Sequence, residues 1–572
     1  MIAINFTEKA NFIWQVADLL RGPYRPNQYK DVMLPLTVLR RLDCVLAPTK
    51  DKVLTEYKAL KDKKAGEGVI NAKLVRITSV PFYNTSKYTF EKLAGDPEGI
   101  VKNLVNYMKG FSDKARTIID SFLFEEEIQK LDKADRLFQI VQKFAGIDLH
   151  PDRVSNIEMG YIFEELIRRF NEASNEEAGD HFTPREVIRL MVDILFTPDD
   201  ETLSSPGIVK TIYDPAMGTG GMLSVSQEYL HENNPGARLE TFGQDYNGQS
   251  YAISGSDMMI KGQDIEHIVF GDSFTADGFP DKKFDYMLAN PPFGVEWKPE
   301  QTFIESEFNE KGMNGRFGAG LPRINDGSFL FLQHMISKMK ELREGGTRLG
   351  IVFNGSPLFT GGAGSGESNI RRWIIENDCL EAIIAMPDQL FYNTGISTYI
   401  WIVTNRKEER RKGKVQLIDA SEMYVKMRKS LGNKRNEISD KHREEIVSIY
   451  DGFRQGKHCK IFPNSYFGYQ RVTVERPLKL SFSVTEESLA KLKETAQFIA
   501  LSESKKRKDT KGAETDIAEG TKLQEEIISA LSSLASRGTV KSQAKFEVLL
   551  DTALEEIKIK APLRKAILES LS

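Results

Sequence analysis

The segment Phe284-Asp285-Tyr286-Met287-Leu288-Ala289-Asn290-Pro291-Pro292-Phe293 limits what this chain can fold into. Its first half is apolar and partly aromatic, the pattern of a short buried strand. Two successive prolines then end the strand, since neither can donate to a sheet ladder. Asn290 is left at the carboxyl edge of the sheet, where open α/β sheets bind their ligands. The Asn290 amide oxygen, the Pro291 carbonyl and the Phe293 ring facing one spot suit a planar amine, offering two acceptors and a stacking face. Asn-Pro-Pro is also an ordinary turn. What precedes it decides between the two.

Strand and helix signals alternate around this segment. Strands are expected at Ile208–Tyr213, Leu239–Gln244, His267–Gly271, Phe284–Ala289, Arg348–Phe353, Leu380–Ala385 and Thr398–Val403, with helices between most of them. This predicts an α/β fold: a seven-stranded, doubly wound, mostly parallel sheet. The loop before the seventh strand is too short for a helical crossover, so that strand is expected to be antiparallel. The first strand runs into Asp214-Pro215-Ala216-Met217-Gly218-Thr219-Gly220-Gly221, the second ends in Gln244-Asp245 and the third in Asp272. Glycines at a strand-to-helix turn let a ligand approach the backbone. A carboxylate after the second strand suits ribose hydroxyls, and one after the third suits an amino group. With Asn290, four consecutive strand ends carry ligand-type residues. The glycine loop has no phosphate-binding lysine, which favours a nucleoside without phosphates. The glycine run Gly361–Ser368 has P-loop spacing, but Glu367 stands at the lysine position and would repel phosphate.

Upstream lies Asp180-His181-Phe182-Thr183-Pro184-Arg185-Glu186, leading into an apolar helix. Thr183 is expected as N-cap, Pro184 at the first helical position and Glu186 as the capping-box partner.

A length of 572 residues exceeds one core. We expect an N-terminal helical domain over residues 1–150, a catalytic domain over 151–480, and a C-terminal helical region over 481–572 with a linker near 502–521. No apolar run approaches the ~20 residues of a membrane span, and Met1–Lys9 lacks a signal-peptide pattern. The three cysteines, Cys44, Cys379 and Cys459, stand far apart, which suits reduced cytoplasmic thiols and predicts no metal cluster. A net charge of −4 means that any nucleic acid is met through a local patch or with a partner's help.

These motifs resemble those of amino-group methyltransferases that use S-adenosyl-L-methionine. Their order is similar to that in the modification (methylase) subunits of type I restriction-modification systems, which methylate adenine N6 in DNA. Asp180–Arg185 matches that family's aromatic-Thr-Pro-Arg cofactor element, and Val474-Glu475-Arg476-Pro477-Leu478 resembles its carboxyl-side signature. Two departures are His181, where a second aromatic is common, and Asp245, where glutamate is usual. The resemblance implies catalysis by Asn290, Pro291, Pro292 and Phe293 on an adenine extruded from the duplex. It implies cofactor contacts from Asp180, His181, Phe182, Thr183, Pro184, Arg185, Asp214, Ala216, Gly218, Thr219, Gly220, Gly221, Asp245 and Asp272. It further implies double-stranded DNA as substrate and a separate specificity subunit bound by two copies of this chain. The resemblance also leaves room for a restriction or motor subunit in the same assembly. Little sequence after Val403 suggests a target-recognition domain, consistent with sequence choice by a partner.

Three other readings fit parts of this pattern. Protein-glutamine methyltransferases use a similar Asn-Pro-Pro element, usually ending in Tyr where this chain has Phe293. A non-catalytic scaffold binding cofactor or DNA is the second. A fused restriction-modification enzyme is the third, and no Pro-Asp…Glu-x-Lys constellation supports it.

Overall fold

The computed structural model describes residues 11, 14–25, 28–155, 158, 159, 162, 165, 166, 169, 183–260, 265–392, 394–431, 433–470, 472–474, 480–504 and 510–572. The chain divides into two compact units, Met1–Tyr469 and Gln470–Ser572.

The first unit is built on a sheet whose strands are β1 Val209–Asp214, β2 Arg238–Asp245, β3 Ile268–Phe270, β4 Tyr286–Ala289, β5 Arg348–Asn354, β6 Leu380–Ala385 and β7 Thr398–Thr404. All seven expected strands are present. β7 runs antiparallel to both β5 and β6, as its short connection requires. The sheet nevertheless has nine strands. β8 (Lys414–Asp419) pairs parallel with β6, and β11 (Cys459–Pro463) pairs antiparallel with β8. The order is β11-β8-β6-β7-β5-β4-β1-β2-β3. Charged and polar residues flank and interrupt the apolar positions of these two strands, so their period is weak. A separate hairpin, β9 (Val425–Leu431) with β10 (Lys434–Glu437), leaves the end of this extension.

Buried charges tie the extension to the sheet. Arg348 on β5 and Glu381 on β6 form a bidentate pair, both N–O distances 3.1 Å. Tyr450, from the helix Asp440–Gly452, bonds both partners. Arg411 donates to Gln416 Oε1 on β8 at 2.8 Å.

The described N-terminal residues are helical, as expected, and the apolar stretch Ile118–Phe144 is divided among three helices, Asp113–Asp120, Phe124–Lys133 and Leu137–Ala145. Leu123 and Asp135 adopt left-handed backbone between them, with φ 53° and 54°. These helices share one continuous core with the helix Arg185–Phe196 and one face of the sheet. The opposite face packs on the helices Ser328–Ser337 and Gly366–Glu376.

The second unit is a helical cluster around Phe482, Ile527, Phe546 and Ile567. The expected linker near 502–521 is corrected by the helix Thr510–Ser533. Its Lys, Glu and Ala residues favour helix as readily as disorder, and Gly520 lies so close to Leu501 that a Cβ would meet its carbonyl oxygen at 1.8 Å. The Val474–Leu478 signature lies outside the described residues except for Val474, which is exposed.

Candidate active site

β4 lies between β1 and β5, and β2 joins β1 to β3, so the carboxyl ends of β1 to β4 form one edge. A single cavity opens there. Thr183, Asp214, Ala216, Gly218, Thr219 and Gly221 line it, together with Asp245, Asp272, Asn290 and Pro292. Gly220 lies just behind, with φ 81°, and a Cβ there would meet Ser254 Oγ at 2.6 Å. Gly218, with φ 53°, borders open space.

Asn290 is 7% exposed, and its Nδ2 donates to Thr183 Oγ1 at 2.8 Å. The amide nitrogen faces Thr183, which leaves Oδ1 at the other corner. That bond also corrects the expected helix start. The helix Arg185–Phe196 has Pro184 as its N-cap, with no side-chain cap bond, and the Glu186 carboxylate pairs with Lys434 instead of capping. Thr183 is occupied by the site. Arg185 turns toward the helix Gly221–Asn233, where Nη2 lies 3.1 Å from Glu228 Oε2, and it does not line the cavity. Phe293 packs edge-on against buried Phe391, ring centroids 6.1 Å apart. Asp180, His181 and Phe182 lie outside the described residues.

Three carboxylates shape the cavity differently. Asp214 is buried, and burial pushes its carboxyl up to about 8. The Ala216 N–H, 3.0 Å from Oδ1, opposes that rise, and the Asp245 charge adds to it. Asp245 accepts from the Gly218 N–H at 2.8 Å and the Asn247 N–H at 2.8 Å, clamping the glycine loop to the next strand end. Asp272 Oδ1 accepts from the Phe274 and Thr275 N–H groups at 2.9 and 2.7 Å. Its Oδ2 has no hydrogen-bond partner among the described residues.

A buried network beneath the cavity fixes these loops to one another. Arg316 uses all five of its N–H donors. Nε and Nη2 meet Glu307, with Nη2 at 2.6 Å, while Nη2 also meets Phe274 O at 2.6 Å. Nη1 meets Ser273 O at 3.1 Å and His334 Nδ1 at 3.2 Å. A donor at Nδ1 requires neutral His334 with its proton on Nε2, facing Tyr213 Oη at 3.2 Å. Burial accordingly lowers His334 to about 3. Ser273 Oγ closes the chain by donating to Pro215 O at 2.6 Å. The loops after β1 and β3 are thereby held from below.

The cavity has a wall that sequence reasoning missed. Lys30 and Leu34, from the helix Lys30–Leu46, line it beside Tyr246, Asn247 and Gln249. Asp31 Oδ1 accepts from Gln249 Nε2 at 2.6 Å. Contacts between segments more than two hundred residues apart leave no local pattern.

A family model of N-6 DNA methylases matches residues 155–488, more than half of the chain. The chain belongs to the N-6 DNA methylase family. A second model, the HsdM N-terminal domain, matches residues 9–144. Among curated relatives, the MjaIX type I restriction enzyme methylase subunit of Methanocaldococcus jannaschii is 25% identical over 469 residues, covering 79% of this chain and 78% of the relative. The HindI methylase subunit of Haemophilus influenzae is 32% identical over 275 residues, 47% of this chain and 56% of the relative. A solved type I restriction-modification methyltransferase subunit from Streptococcus thermophilus shares the fold, with TM-score 0.63 and 22% identity, over 81% of this chain and 96% of that one. The N-6 DNA methylase family is a methyltransferase family, and this chain shares the fold of that solved methyltransferase subunit. The protein-glutamine and scaffold readings are not favoured. No described helix is long and apolar enough to cross a membrane.

Proposed function

We propose that this N-6 DNA methylase is the modification subunit of a type I restriction-modification complex, transferring a methyl group from S-adenosyl-L-methionine to N6 of an adenine in DNA. The observation that carries this reading is Asn290, held by Thr183 at the rim of a cavity walled by the ends of β1 to β4.

The cavity's donor set suits such a cofactor. Asp245 and Asp272 outnumber Lys30 even with Asp214 protonated, so the site favours a cation with hydroxyl and amino groups over a phosphate. The open space at Gly218 admits the ligand to the backbone. Asp214 and the glycine loop would hold its methionine end, Asp245 and Asn247 its ribose, and Asp272 Oδ2 its amino group. When bound, the cofactor supplies an electrophilic methyl on sulfonium.

The chain's own residues act on the base. Adenine N6 is a poor nucleophile because its lone pair is delocalised into the ring. Asn290 Oδ1 and the Pro291 carbonyl accept its two N–H groups and localise that pair on nitrogen. Phe293, braced by Phe391, stacks on the extruded ring. Transfer demands in-line geometry near contact, so fixed positioning does most of the work.

Sequence choice falls to a separate specificity subunit bound by two copies of this chain, with the unit Gln470–Ser572 contributing to the contacts. A restriction or motor subunit completes the assembly, which works in the cytoplasm. Methylated adenines should appear at defined sites in DNA incubated with this chain, a specificity subunit and cofactor. Transfer by the purified chain alone to defined sites would overturn the division of labour, and the absence of adenine methylation with all components present would overturn the activity.

A further inference from the structure

The hairpin β9–β10 is the one segment of the first unit that stands outside the main sheet as a separate two-stranded ribbon among the described residues. Between Val425 and Glu437 it carries Lys426, Arg428, Lys429, Lys434 and Arg435 against a single acid, Glu437, in a chain whose net charge is −4. Lys426, Arg428 and Arg435 are exposed and make no ion pair among the described residues. Some exposed cations elsewhere are paired: Arg372 with Glu376 at 2.8 Å and Arg410 with Glu408 at 2.5 Å. The hairpin's three exposed cations are therefore uncompensated and lie within ten residues of one another. Lys426 and Arg428, two residues apart on one strand, project from the same face about 7 Å apart.

The ribbon is anchored at the catalytic edge. The Asn433 and Arg435 N–H groups donate to Tyr392 O and Gln389 O at 2.8 and 2.9 Å, in the loop that follows β6. Asn436 Nδ2 donates to Asp388 O at 2.8 Å, and Lys434 Nζ to Leu390 O at 3.0 Å. Lys434 also pairs with Glu186, three residues beyond Thr183. The same loop presents Phe391 to Phe293. One continuous set of contacts thus joins the basic ribbon to the residues proposed to hold the base.

We propose that this hairpin is a DNA-backbone contact, its Lys426, Arg428 and Arg435 meeting phosphates of the duplex beside the extruded adenine. The proposal rests on the reading of Asn290–Phe293 as the base pocket. It accounts for how an acidic chain approaches a polyanion: phosphate contacts supply sequence-independent affinity and fix register. An acidic face of a protein partner is the competing occupant.

The test uses the assembled complex carrying Lys426→Gln, Arg428→Gln and Arg435→Gln together. DNA affinity is measured against salt concentration by fluorescence anisotropy. The slope of log affinity against log salt should fall by about 0.9 for each phosphate contact removed, and by about 3 in the triple variant. Melting temperature and affinity for S-adenosylhomocysteine should not change, which separates this result from misfolding. An unchanged salt slope overturns the proposal. So does loss of the specificity subunit from the complex with the slope retained, which assigns the ribbon to a protein interface. If the unmodified complex methylates no adenine, the base-pocket reading fails instead, and that outcome is read in a separate assay.

Discussion

Asn290 Nδ2 lies 2.8 Å from Thr183 Oγ1, so a residue 107 positions earlier in the chain orients the amide that ends β4. Thr183→Val should lower kcat by about 2- to 10-fold, the worth of one net hydrogen bond, with cofactor affinity nearly unchanged. Asn290→Ala should abolish transfer while cofactor still binds. A parallel loss of cofactor affinity and turnover, by calorimetry and methyl-transfer assay, would contradict both assignments.

Phe293→Ala should weaken the grip on the extruded base, since base–aromatic stacking is worth about 1–3 kcal/mol. A fluorescent adenine analogue at the target reports this directly. Equal emission from variant and unmodified protein would count against the stacking role.

Asp214, at about 8, links the site to pH. Its carboxyl is raised by burial, so its contribution to stability is complete below the unfolded value of about 4. That contribution is lost as pH rises toward 8. Without ligand, the melting temperature should therefore fall between pH 5 and 8, and Asp214→Asn should flatten the fall. A cationic ligand favours the ionised form, so cofactor binding at pH 6.5 should release a proton. Calorimetry in buffers of different ionisation enthalpy measures that release, and equal heats would refute it.

Arg316→Met should be strongly destabilising, by about 3–5 kcal/mol, because it strands the buried Glu307 carboxylate. The double change Arg316→Met with Glu307→Gln should recover part of that loss. Chemical denaturation of both variants distinguishes a paired charge from simple packing.

A chain ending at Tyr469 should keep cofactor affinity yet fail to assemble with a specificity subunit. The cut belongs there because Phe482 stacks on Phe546 inside the second unit, ring centroids 5.0 Å apart. Assembly of the shortened chain would remove the proposed role of the C-terminal helices.

Much of the sheet and its functional edge was legible because strand periodicity and the residues after each strand are local signals. Asp214, Asp245, Asp272 and Asn290 each follow a recognisable apolar run. Thr183 was misread for an instructive reason: it has the chemistry of an N-cap, but Asn290 claims its hydroxyl across the fold. β8 and β11 are not legible in the sequence because they are short and carry polar residues, Lys414 and Gln416 in one and Lys460 in the other, that break the apolar pattern. Residues 510–521 read as linker because helix formers and disorder formers overlap in composition.

Lys30 and Leu34 make the N-terminal helical region part of the cavity wall. A minimal enzyme cut to begin near residue 155, where the methylase match starts, would be missing one side of its own binding site. Transplanting the catalytic motifs between relatives would meet the same obstacle, because the matching helix would have to travel with them. The two sequence modules build one binding site.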